Sequence, residues 1–86
     1  MATISMFFGI VITMFYNEHG PPHFHAEYQG QRGIFDFDGN MTRGNMRSKT
    51  AKSMIQSWAK LHRDELEKNW NEARSGKPLR RVAPLN

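Results

Sequence analysis

Eleven consecutive residues, Met6 to Tyr16 (MFFGIVITMFY), carry no charge and are nearly all aromatic, β-branched or methionine. No other segment limits the fold so strongly. It is too short to cross a bilayer as a helix, which takes about 20 apolar residues. No basic stretch precedes it and no small-residue cleavage pattern follows it, so it does not read as a secretory leader. Its residue types suit a pleated surface. They predict one strand over about residues 7–16, apolar on both faces and therefore central or covered on both sides. Gly9 within it suggests a bulge or a close backbone approach.

Gly20, Pro21 and Pro22 break that strand. The following HFHAEYQGQRGIFDFDGN predicts a hairpin, with strands at about 23–29 and 32–38 and a turn centred on Gly30 and Gln31. A register pairing Tyr28 with Gly33 and Phe24 with Phe37 sets His25 opposite Asp36 and His23 opposite Asp38. Phe24, Ala26, Tyr28, Phe35 and Phe37 then share one face, with His23, His25 and Glu27 on the other. A slip of one residue would mix the two faces.

From about Ser48 the apolar period becomes helical. Ala51, Met54, Ile55, Trp58 and Leu61 make one stripe and Leu66, Trp70 and Ala73 a second. Helices are expected at about 48–62 and 64–75, the second opened by a capping-box-like Asp64–Glu67 pair and closed by Gly76. One helix bent near His62 is the alternative. Residues 77–86 form a tail, either a short edge strand or ordered coil. The expected fold is α+β: one domain over residues 1–86, with a three-stranded antiparallel meander followed by two C-terminal helices packed on one of its faces.

Three of the four histidines lie within seven positions, at 19, 23 and 25, and there is no cysteine. A disulfide framework and a thiolate metal site are thereby excluded, and a reducing cytoplasm fits. Side chains two apart on a strand leave the same face, so His23 and His25 point together. Three readings stay open. Histidine–aspartate pairs across strands can simply order a polar face. His19, His23, His25 and Asp36 form a nitrogen and oxygen donor set suited to a divalent metal such as zinc. His23 and His25, oriented by Asp36, have the makings of metal-free acid–base catalysis, as in phosphodiester cleavage.

The formal net charge is +4, yet no lysine or arginine occurs before Arg32. Arg43, Arg47, Lys49 and Lys52 concentrate charge where the first helix begins. A localised patch of this kind suits RNA, DNA or an acidic protein partner.

The pieces GIVITMFYNEHGPPHFHAEY, FDFDG and WAKLHRDELEKNWNEARSGKPLRRVAPL together resemble the small bacterial proteins grouped as domain of unknown function 4160. HGPPHFHAEY and LHRDELEKNW are the most specific parts. The resemblance implies a prokaryotic, cytoplasmic protein encoded beside a second small gene, in arrangements that look like toxin–antitoxin pairs. Some members are labelled transcriptional regulators. Its histidine motif maps onto His19, His23 and His25, and its acidic strand residue onto Asp36. The expectation is one component of a two-gene, toxin–antitoxin-like module that binds nucleic acid or a cognate protein. The alternatives are a metal-binding domain and a purely structural module.

Overall fold

The computed structural model describes residues 2–16 and 18–86. Met1, and Asn17 in the break read at NEHGPP, lie outside the described residues. Five strands are followed by two helices: β1 (Ala2–Phe7), β2 (Ile10–Met14), β3 (Phe24–Tyr28), β4 (Gln31–Phe35), β5 (Met41–Gly44), α1 (Lys49–Leu61) and α2 (Arg63–Arg74). The strands form one antiparallel sheet in chain order. The α+β class and the two helices agree with the sequence, whereas the meander has five strands rather than three.

Two hairpin turns take a residue with a bulky side chain to positive φ, and the first of them creates an additional strand. The apolar run expected as one strand is interrupted by Phe8 and Gly9, with φ of 51° and 80°. Positive φ at both central residues is the two-residue turn that matches strand twist, so the run folds into a hairpin of β1 and β2. Gln29 and Gly30, with φ of 49° and 77°, do the same between β3 and β4. That shorter turn shifts the expected register by two: Tyr28 pairs with Gln31, His25 with Ile34 and Phe24 with Phe35. An even shift preserves which side chains share a face. Phe24, Ala26, Phe35 and Phe37 are therefore buried together as expected. β5 is a short, mostly exposed edge strand.

One face of the sheet is covered. Ile10, Ile12, Met14, Phe24 and Phe35 meet Ala51, Ile55 and Trp58 of α1 and Leu66 and Trp70 of α2. Trp58 stands edge-on to Phe24, with ring centroids 5.5 Å apart, and its indole N–H donates to the Ala83 carbonyl at 2.8 Å. Leu61, expected on the buried stripe, is instead exposed. Ser48 caps α1, its hydroxyl accepting the Ala51 N–H. The helices break at His62 alone, which ends α1 and begins α2 without a side-chain cap. Asp64 and Glu65 lie inside the first turn of α2, so the Asp64 capping box does not form. Gly76 closes α2 at φ 75°, with Lys77 N–H donating to Glu72 and Gly76 N–H to Ala73. That is the double hydrogen bond a left-handed C′ glycine supports.

The tail is ordered coil. Val82 is buried, and its N–H donates to the Ile4 carbonyl of edge strand β1 at 2.7 Å. Buried Asn69 holds the Arg80 backbone at both its N–H and its carbonyl. Among the described residues no helix is long and apolar enough to cross a membrane.

Candidate functional site

Among the described residues no helix covers the second face of the sheet. Cross-strand pairing places Thr3, Thr13, His25, Ile34 and Arg43 in one row across all five strands. Met6, Val11, Glu27 and Arg32 make the neighbouring row. Together with Phe15, and without Met6, these side chains line a concavity of about 530 Å³. Its floor is apolar, from Val11, Ile34 and Phe15. Arg43 sits toward the β5 side and has no ion-pair partner among the described residues. Arg32 is joined to Glu27 at 3.0 Å.

The histidines lie where the loop between β2 and β3 returns to the sheet. Gly20 (φ 90°) and the two prolines reverse the chain, which brings Glu18 back over the start of β3. His25 Nε2 donates to Glu18 Oε1 at 2.7 Å, and His23 Nε2 lies 3.3 Å from the same oxygen. His23 Nδ1 donates to the Pro21 carbonyl at 2.8 Å. The His23 ring packs between Trp70 and His25, with centroids 5.1 and 5.3 Å away. Phe15 stands edge-on to His25 at 4.4 Å.

Burial pushes the Glu18 carboxyl upward, but hydrogen bonds from His25 and His23 and their positive charge outweigh it, leaving the group below the usual carboxylate range. Its folded pKa therefore lies below its unfolded one. The stability that Glu18 contributes is complete above the unfolded carboxylate value and is lost as pH falls through the folded one. Glu18→Gln is expected to flatten that acid limb, by less than about 1 kcal/mol for a pair this accessible to water. Chemical denaturation at a series of acidic pH values reads the difference.

Of the residues singled out in the sequence, His23 and His25 come together. Exposed His19 is not among the converging ligand atoms. Asp36 is not opposite His25. Its carboxylate accepts the N–H groups of Asp38 and Asn40 and ties the turn that leads into β5. Asp38 pairs with Arg63 instead of facing His23. The basic set also divides. Arg43 faces the open concavity, and exposed Arg47 is held by its backbone N–H on the Gln31 side chain. Lys49 and Lys52 belong to α1, in the layer behind the sheet. Glu18 and Arg32 were not singled out. Glu18 had one signal, its place before a Gly-Pro-Pro reversal with histidines beyond it.

A two-layer α+β domain with one bare, grooved sheet face and a histidine–carboxylate cluster at its rim is thus the kind of protein this chain makes. It belongs to the family described as Domain of unknown function (DUF4160), whose model matches residues 9–71, from the first hairpin turn to the last turn of α2. No curated protein and no solved structure matches the chain.

Proposed function

We propose that this chain is the partner-binding component of a small two-protein module of the toxin–antitoxin kind, and that the bare sheet face seats a cognate protein. The observation that carries this reading is the concavity over β2, β3 and β4, with its apolar floor and, at one side, Arg43, which has no ion-pair partner among the described residues. Half-exposed Val11, Ile34 and Phe15 side by side are what a partner's apolar ridge would cover. Arg43 adds a demand for a carboxylate at the β5 side of that ridge. Exposed Met6 and Phe8 extend the apolar surface toward the first hairpin. Nucleic acid is the weaker fit. Glu27 offsets Arg32, which leaves Arg43 as the groove's uncompensated charge among the described residues, and Lys49 and Lys52 sit on the other layer.

The test uses this chain produced together with the protein encoded beside it. Val11→Asp and Ile34→Asp place a charge on the groove floor at positions the core does not use. Each is expected to weaken the complex by at least a hundredfold, read by titration, while far-UV dichroism stays unchanged. Arg43→Glu is expected to cost about tenfold or more, in line with a desolvated charge pair. A complex that tolerates both aspartates removes the reading. Absence of any complex, with salt-sensitive binding of single-stranded RNA that Arg43→Glu abolishes, replaces it with a nucleic-acid partner.

A further inference from the structure

We propose that Glu18, His23 and His25 form a site for one divalent transition-metal ion of the zinc type. The ligand atoms of the three residues all lie within 4.8 Å of one another. In a tetrahedral zinc site with bonds of about 2.0–2.1 Å, neighbouring donor atoms are roughly 3.3–3.5 Å apart. The 3.3 Å from Glu18 Oε1 to His23 Nε2 already has that spacing. The 2.7 Å from Glu18 to His25 is a hydrogen bond. It opens by about half an ångström when the metal replaces the His25 Nε2 proton, which passes to solvent. Glu18 is part-exposed, so a shift of that size displaces water and not core side chains.

The orientation of His23 is a second, independent sign. A metal-binding histidine typically donates its other ring N–H to a carbonyl or carboxylate, which fixes the tautomer and aims the lone pair at the metal. His23 Nδ1 does this with the Pro21 carbonyl at 2.8 Å. In the neutral ring the Nε2 lone pair then points at the Glu18 carboxylate. In that protonation state the lone pair and the carboxylate oxygen stand 3.3 Å apart, and a cation would fill the place a proton takes when the ring is charged. The rings are also held in place, His23 against Trp70 and His25 against Phe15. Imidazole and carboxylate donors without thiolate select zinc and its neighbours over magnesium and calcium, which need more oxygen ligands. Three protein ligands leave one tetrahedral position for water. The donor set differs from the one expected from the sequence, since Glu18 takes the place given to Asp36, and His19 is absent.

The experiment titrates tag-free, chelator-treated protein with zinc chloride, in competition with a chromophoric chelator. Expected are one zinc per chain at micromolar affinity or better, and no competition from magnesium. Glu18→Gln and His25→Ala are expected to lose at least tenfold in affinity, while His62→Ala, at the distant helix junction, keeps it. Absence of stoichiometric zinc binding makes the cluster an ion pair only and overturns the proposal. So does binding that both variants leave within twofold. Should a variant fail to fold, histidine ring signals of the wild type decide. Zinc is expected to move those of His23 and His25 and leave those of His62 in place. Shifts confined to other histidines overturn the proposal.

Discussion

Trp58→Ala is expected to lower stability by about 3–5 kcal/mol, the range for truncating a buried tryptophan. For 86 residues the total is on the order of 4–13 kcal/mol, so the loss removes from about a quarter to all of it. The position explains the size. Trp58 is wholly buried and meets Phe7 and Phe24, one from each hairpin, with both centroids at 5.5 Å. It joins α1 to β1 and β3 at one point. Its N–H also holds Ala83, so the truncation loosens the tail that covers the β1 edge. Trp58→Phe separates these roles. It keeps most of the ring and leaves only the hydrogen bond unmade, a change of about 1–2 kcal/mol with the remaining volume difference. Urea unfolding followed by dichroism measures both. A loss below about 1.5 kcal/mol for the alanine variant would contradict the central place given to Trp58.

Gly39→Ala is expected to be one of the two most damaging glycine-to-alanine changes, with Gly44→Ala, whose Cβ would lie as close to the Arg32 carbonyl oxygen. Gly39 has φ 86°, and a Cβ there would lie 2.4 Å from the Cα of Gln56 in α1. Left-handed strain costs on the order of 1 kcal/mol, and forcing the 36–40 turn off the helix adds roughly 1–3 kcal/mol. The Gln56–Asn40 side-chain bond would be lost with it. Gly30→Ala isolates the strain, because φ there is 77° and nothing lies within 4 Å of the added carbon. At this size 1 kcal/mol moves Tm by about 4–8 °C. The Gly30 variant should fall by that much and the Gly39 variant by at least twice as much. Equal shifts would mean that the turn does not press on α1.

The helices and the face assignments could be read directly because amphipathic periodicity reports burial. Ala51, Ile55 and Trp58 are buried in α1, as are Leu66, Trp70 and Ala73 in α2. Periodicity also explains the failures. β5 offers only half-buried Met41 and three exposed residues, so nothing marks it as a strand. The run from Met6 to Tyr16 is apolar throughout, and its continuity hid the turn at Phe8–Gly9, where a phenylalanine occupies a conformation usually left to glycine or asparagine. Gly9 was legible as an irregularity but not as a reversal. Gln29 misled the register for the same reason, by taking positive φ beside Gly30. The two-residue error preserved the faces yet moved Asp36 away from His25. Glu18 reaches the histidines through an irregular loop, where spacing along the chain carries no information about distance in space.

The proposed seat for a cognate protein is the bare sheet face. Amide and methyl signals of this chain, followed by NMR as the cognate protein is added, test it most directly. The account predicts shifts concentrated at Val11, Thr13, His25, Ile34 and Arg43, with the outer surfaces of α1 and α2 silent. Shifts concentrated on the exposed side of the helices, around Lys60, Leu61 and Lys68, with the groove unchanged, would contradict it.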